Sequence, residues 1–461
     1  MTTKPQPVDR TLWFETALLP DGWARDVRIG VAQGRIVRIE TGVARAAGDE
    51  GGGVAQPGVA NVHSHAFQRA MAGLTEARGP TDDDFWTWRA LMYRFLDRGG
   101  PEEIEAIAAL AFIEMLEGGF TRVAEFHYLH NDPAGVAYAD RAEIAARIVA
   151  AAAETGIGLT LLPVFYAHAG FGGQAPAHGQ RRFISDLDGF AELVARGRAL
   201  TGGLTDAVVG VAPHSLRAVT PEQLAAMPAL AGGGPIHIHV AEQTREVEDC
   251  LAWSGARPVE WLLANAPIGP RWCLIHLTQM TPAETTALAR TGAVAGLCPL
   301  TEASLGDGIF DGVRWTDAGG TFGVGSDSNI RISLTEELRT LEYSQRLRDR
   351  ARAVLAVPGR STGRVIYDAG LDGGATAAGR DTGAIQPGLW ADLAVVDLDN
   401  PVMAGRRGDQ MLDSLIFAGG DGLVRDVWAA GRHVVQGGRH LDRDRIIADY
   451  LATIARLQDR M

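Results

Sequence analysis

Eight short apolar runs, separated by Ala-rich amphipathic stretches, constrain this chain more than any other feature. They occupy 58–62, 121–126, 158–164, 207–212, 235–241, 272–276, 293–297 and 321–325. Continuous apolar runs of this length suit strands buried on both faces, and helical stretches between them imply parallel pairing. The intervening segments 102–117 and 143–155 carry helical periodicity and end at Gly118-Gly119 and Gly156, residues that readily leave a helix in the left-handed conformation. Eight alternations are the number that closes a (β/α)8 barrel of the TIM type, whose chemistry sits at the C-terminal ends of the strands. The expected fold class is therefore α/β.

The flanks follow another pattern. Residues 11–56 hold alternating segments at 23–29 and 35–39 and a Gly-rich stretch at 48–53, and similar segments recur at 391–397, 424–428 and 433–436. Period-two alternation with turn residues predicts short strands exposed on one side. The two ends are expected to form one small β-sandwich. The division is then 1–57 for its first part, 58–382 for the barrel, and 383–461 for its second part with a C-terminal helix.

Composition narrows the function. A net charge of −13 opposes binding to polyanions, so neither nucleic acid nor a membrane is an expected partner. The N-terminal MTTKPQPVDR has no apolar core, and no apolar run is long enough for a membrane span. Cys250, Cys273 and Cys298 form no paired framework, which suits a reducing compartment and predicts a cytoplasmic protein. Lys4 is the only lysine. Schiff-base catalysis and a two-metal site bridged by a carboxylated lysine are thus not expected.

At the predicted strand ends stand His63-Ser64-His65, His239-x-x-Glu242, His276 and Asp327. Histidines at i and i+2 on an extended segment point to one side, so His63 and His65 can grip one ion. Zn²⁺ favours imidazole and carboxylate ligands and becomes catalytic when a position stays open for water. His63, His65, His239 and Asp327 are the expected ligands of one Zn²⁺ per chain, with Fe²⁺ the alternative occupant. His237 also lies in an H-x-H, but Glu242 completes H-x-x-E from His239, so His237 is assigned to the barrel core or to support of a ligand. Glu242 is the expected proton shuttle, and His276 the group that polarises the reacting centre and positions water. Asp327 serves as ligand and as part of the catalytic set.

The stretches N-V-H-S-H-A-F-Q-R-A-M-A-G (61–73), E-F-H-Y-L-H (125–130), A-P-H-S-L-R-A-V (212–219), T-E-A-S-L-G-D-G-I-F (301–310) and L-E-Y-S-Q-R-L-R-D-R (341–350) carry a further signal. With the order HSH, HVAE, His, SDS, the chain resembles the amidohydrolase superfamily, in its mononuclear deaminase branch, and within it the enzymes acting on N-formimino-L-glutamate in histidine degradation. Two departures from the general deaminase pattern fit that narrower resemblance. Thr301-Glu302 follows Cys298-Pro299 where many relatives carry Ser-Asn, and the 66–100 segment, with Phe85-Trp86-Thr87-Trp88-Arg89, resembles a lid. Asn329, after Ser328, departs from what close relatives would lead one to expect.

The resemblance implies metal-assisted hydrolysis of the formimino group to N-formyl-L-glutamate and ammonia, with Glu242 protonating the departing nitrogen. A substrate with two carboxylates needs cationic anchors. Arg217 and Arg89 are the candidates, because a guanidinium fork matches a carboxylate. Gln68, Tyr128 and His214 are implied to hydrogen-bond the same ligand. A homodimer is the expected assembly. Two rivals stand beside this reading: deamination of a heteroaromatic ring, which would favour aromatic stacking over paired arginines, and a non-catalytic scaffold, which has no physical need for the intact metal and acid–base set.

Overall fold

A computed structural model describes residues 8–76 and 85–459. The middle of the expected lid, residues 77–84, lies outside the described residues. Seventeen strands appear there, in the order β1 (Arg10–Leu19), β2 (Gly22–Ala32), β3 (Arg35–Glu40), β4 (Val54–Pro57), β5 (Val59–Ser64), β6 (Phe120–His127), β7 (Gly158–Phe165), β8 (Val208–Val209), β9 (Ala212–Pro213), β10 (Ile236–Val240), β11 (Trp272–His276), β12 (Val294–Leu297), β13 (Thr321–Val324), β14 (Leu393–Val396), β15 (Val424–Ala429), β16 (Arg432–Gln436) and β17 (Arg439–His440).

The strands from β5 to β13 run parallel in two arcs, β5-β6-β7-β8 with β9 also on β7, and β10-β11-β12-β13. Bridges Val211↔Ile236 and Ser215↔His239 join the arcs on one side, and Ser64↔Asp327 joins them on the other. At that second seam Asp327 donates its N–H to His63 O at 2.9 Å and His65 donates to Asp327 O at 2.9 Å. The barrel thus closes through its candidate metal ligands.

Seven expected strands appear within a residue or two of their predicted positions. The fourth, expected as one run over 207–212, is split into β8 and β9. Val208 and Val209 pair with β7, whereas Val211 pairs with Ile236 on β10. The break falls at Gly210, beyond which Ala212 still pairs with Val164 on β7; the Gly210 N–H bonds to Leu161 O at 3.0 Å, and a Cβ there would overlap Pro235 O. Only glycine permits that approach.

Local signals explain the helices. Pro101–Glu117 starts with proline at its first position, and Glu103 accepts the Gly100 N–H at 2.9 Å. Glu143–Thr155 ends at Gly156 with φ of 71°. The flanks join in one eight-stranded sheet, ordered β17-β16-β15-β14-β4-β1-β2-β3. It folds over itself: Phe14 on β1 meets Trp428 on β15 edge-on at 5.9 Å although β4 and β14 lie between them. Leu12, Val27, Ile29, Ala55, Leu393 and Val395 fill the space between the two halves. The sheet therefore packs as the expected sandwich. A C-terminal helix, Arg443–Asp459, lies on the barrel helix Pro101–Glu117, with Arg443 paired to Glu117.

Candidate metal centre

Ligand atoms of His63, His65, His239 and Asp327 all lie within 4.8 Å of one another, and all four residues are buried. His65 donates Nδ1–H to Phe126 O at 2.9 Å, and His239 donates Nδ1–H to His214 O at 2.9 Å. Each bond fixes the tautomer and leaves a bare Nε2 turned inward. His65 Nε2 lies 3.2 Å from Asp327 Oδ1, and His239 Nε2 lies 3.0 Å from His63 Nε2. The bare Nε2 of His65 and a carboxylate oxygen repel at that distance unless a cation sits between them, so the donor set fits a borderline metal ion such as Zn²⁺.

The ring of Phe126 floors the cluster, with centroids 4.9 Å from His63, 5.3 Å from His65 and 4.5 Å from His239. Burial there pushes His63 down to about 3 and lowers His65 and His239 as well, which keeps neutral imidazoles available to a metal. Burial alone would raise Asp327. The hydrogen bond from His63 and the nearby His276 and His65 outweigh it and hold the carboxylate well below its usual range. His237 faces elsewhere: its Nε2 meets Ala377 O at 2.8 Å, on the barrel's outer helix layer.

The strand ends are strained where the reactive residues sit. Ala241, His276, Leu277 and Asp327 have φ of 54°, 76°, 60° and 42°. Non-glycine residues adopt this region at a cost, and such positions cluster at functional sites. A polar knot around Asn61 supports the turn at Asp327. Asn61 Oδ1 accepts from the N–H of His63 at 3.2 Å and of Ser326 at 3.1 Å. Asn329, the unexpected residue, has φ of 54°. Its Nδ2 donates to Ser64 Oγ at 3.1 Å and His65 O at 3.1 Å. Asparagine tolerates that backbone and supplies both bonds.

Beside the cluster, His276 Nε2 lies 3.8 Å from Glu242 Oε1 and 3.8 Å from Asp327 Oδ2. Burial raises Glu242 to about 6, partly opposed by His276 and Arg217. Burial would lower His276, but Glu242, Glu302 and Asp327 together push it up to about 10. The two side chains therefore titrate on opposite sides of neutrality.

One pocket is lined by His65, His239, Glu242, His276 and Asp327 together with Gln68, Arg89, Tyr128, His214 and Arg217. Gln68 donates Nε2–H to Tyr128 Oη at 2.8 Å, and its Oε1 has no partner among the described residues. His214 is half-buried beside His239, the two rings 4.8 Å apart, and desolvation of its ring lowers it. Arg217 is 7% exposed. It lies 3.9 Å from both Glu242 and Glu246, and its Nη1 makes no hydrogen bond among the described residues. Arg89, half-buried, stacks its guanidinium over Trp86 at 4.4 Å and Tyr93 at 5.6 Å.

Sequence reasoning passed over three buried carboxylates. Glu246 accepts the N–H of Ala241 and of Glu242, each at 3.1 Å, and so shapes the turn carrying Glu242. Glu302 accepts from His276 Nδ1 at 3.3 Å. Asp307 receives Gln243 Nε2–H and is raised to about 9 by burial and by Glu242. Glu246 reads as an exposed first-turn residue, and only the Thr301-Glu302 departure marked this loop.

A parallel barrel with three imidazoles and a carboxylate at its mouth and a sandwich built from its flanks defines a class, and the sequence comparisons agree: the chain belongs to the amidohydrolase family, whose sequence model matches residues 54–434. More narrowly, the model described as formimidoylglutamate deiminase HutF, N-terminal domain, matches residues 10–53. The chain is 51% identical to formimidoylglutamate deiminase of Pseudomonas aeruginosa over 97% of its own length and 99% of that protein. It is 29% identical to 8-oxoguanine deaminase of the same species, over 88% of this chain and 87% of that one. Among solved structures, an amidohydrolase from Brucella melitensis superposes with a TM-score of 0.94 at 52% identity, covering 98% of this chain and 100% of that one.

Proposed function

We propose that this chain hydrolyses N-formimino-L-glutamate to N-formyl-L-glutamate and ammonia, using one Zn²⁺ held by His63, His65, His239 and Asp327. The observation that carries this reading is the 51% identity to formimidoylglutamate deiminase along almost the whole chain. A pocket lined by both Arg217 and Arg89 together with the imidazole cluster supports it.

A cation at the cluster supplies Lewis acidity and brings the ionisation of water to about pH 7. The chain's own residues do the rest. Arg217 receives a substrate carboxylate in a desolvated position, and Arg89 at the pocket edge offers a second guanidinium. Gln68, Tyr128 and His214 line the space between them and the cluster, and the unpartnered Gln68 Oε1 is an acceptor for a substrate N–H. Glu242, raised to about 6, is ionised at neutral pH yet readily protonated. It takes a proton from water as the water oxygen adds to the formimino carbon and gives that proton to the formimino nitrogen; the remaining O–H proton follows to the same nitrogen as the C–N bond breaks, the formyl C=O forms and ammonia leaves. His276 faces the same centre and stabilises charge developing on oxygen.

The three cysteines are all buried free thiols, which supports a reducing, cytoplasmic setting. The test is ammonia release from a panel of formimino amino acids, nucleobases and triazines, with metal analysis of the same enzyme. Turnover of formiminoglutamate with about one zinc per chain is expected. Ammonia from a nucleobase and none from formiminoglutamate would overturn the proposal.

A further inference from the structure

The catalytic scheme leaves unused a buried carboxylate that touches one of its members. Glu302 is 4% exposed, and its Oε1 accepts two bonds, from Cys298 N–H at 2.8 Å and from His276 Nδ1 at 3.3 Å. The first anchors the carboxylate to the end of β12 independently of His276. The short helix that carries it, Pro299–Leu305, is itself pinned: Leu300 N–H bonds to Glu337 at 2.9 Å, and Thr301 Oγ1 lies 2.9 Å from Ser328 Oγ on the turn after Asp327. Glu302 is thus a fixed acceptor.

His276 needs one. Its backbone is left-handed, with φ of 76°, and among the described residues its Nε2 makes no hydrogen bond, with Glu242 Oε1 and Asp327 Oδ2 each 3.8 Å away. A carboxylate can only accept, so the ring nitrogen facing Glu302 carries hydrogen. Turning the ring over would place a C–H against Glu302 and swing Nε2 away from Glu242 and Asp327. We propose that Glu302 is a positioning residue, which selects the ring orientation of His276 and so presents Nε2 to the reacting centre. The reasoning rests on the role given to His276 under the proposed function. The ring orientation can be read without it.

The experiment uses zinc-loaded enzyme labelled with ¹⁵N-histidine, and the variants Glu302→Leu, His276→Asn and the pair. Glu302→Leu is expected to keep its metal and lower kcat roughly 10–100-fold, the usual cost of removing a group that orients an active-site histidine. In the His276→Asn background the same change should add no more than about a twofold effect, because the residue it positions is gone. The Nδ1–H resonance that disappears in His276→Asn should shift or broaden in Glu302→Leu. It should return in Glu302→Gln, whose amide oxygen still accepts. Equal losses in both backgrounds, or an unmoved His276 resonance in Glu302→Leu, would refute the assignment. Should Glu302→Leu fail to fold, Glu302→Ser, polar but too short to reach the ring, takes its place with the same expected outcomes. A resonance that depends on Glu302 in an enzyme inactive on formiminoglutamate would retain this inference and discard the proposed substrate.

Discussion

Replacing Arg217 by Met removes the most buried cation of the pocket while keeping a similar apolar stem, and its consequences can be worked from the structure. The side chain is buried, so a carboxylate bound there is poorly screened by solvent. Truncating a hydrogen-bonded charge pair in such a place costs about 3–4 kcal/mol, or on the order of 10²–10³ in kcat/KM. The loss should fall mainly on KM, with kcat following if the anchor also sets the formimino carbon in place. A second effect has a definite sign. Arg217 lies 3.9 Å from Glu242 and helps hold down a carboxyl that burial has raised to about 6. Without the guanidinium Glu242 rises further. Because the ionised form takes the proton from water, the acid limb of the kcat/KM profile must move to higher pH. Arg217→Lys should recover the pH limb more fully than affinity, since a single ammonium replaces the charge but not the fork. The assay is continuous ammonia detection from pH 5 to 9, with thermal melting to confirm a folded variant. A folded Arg217→Met enzyme with kcat/KM within about threefold of the parent, below even a modest charge contact, would refute both the anchor and its coupling to Glu242.

Four further outcomes are expected. Alanine at His63, His65, His239 or Asp327 should abolish metal binding and activity together, whereas His237→Ala should keep the metal and lower the melting temperature, because its contact is to Ala377 O; elemental analysis separates the two. Glu242→Gln should keep metal and fold but lose on the order of 10²–10⁴ in kcat, the range for a positioned acid–base group, and near-parental turnover would remove its shuttle role. Chelation should abolish ammonia release and added Zn²⁺ should restore it, as measured on one preparation. Shortening the substrate by one methylene to the aspartate analogue should reduce kcat/KM, because Arg217 and the imidazole cluster are held at fixed positions on one rim.

The parts of this molecule set by local chemistry could be read from sequence, and the parts set by distant contacts could not. Seven barrel strands announce themselves because each is buried on both faces and therefore rich in apolar residues. The fourth misled because its break depends on Pro235, distant in sequence, pressing against Gly210. Likewise His63, His65, His239 and Asp327 end strands and carry a distinctive residue type, so their convergence was inferable. Glu246 and Glu302 sit in the first turns of short helices, where acidic residues are common for reasons of helix polarity alone. That their carboxylates turn inward, to two backbone N–H groups and to His276, follows from packing between loops of different strands. The flanks were legible as strands but not in order: β1 pairs in parallel with β4, and β4 pairs antiparallel with β14, an arrangement no alternation of side chains encodes.

Charge placement explains why a barrel of this kind would take a formimino amino acid over a neutral ring. The reacting end of the pocket gathers carboxylates: Glu242, Asp327 and, behind His276, Glu302. Two guanidinium groups, Arg217 and Arg89, line the same pocket, with Arg217 3.9 Å from Glu242. An amidine is basic and the glutamate end is anionic, so the proposed substrate offers a charge to match each set. A heteroaromatic base brings no carboxylate to Arg217, whose Nη1 makes no hydrogen bond among the described residues, and a buried donor left without an acceptor is costly. Discrimination in this pocket thus arises as much from what its paired charges reject as from what they hold.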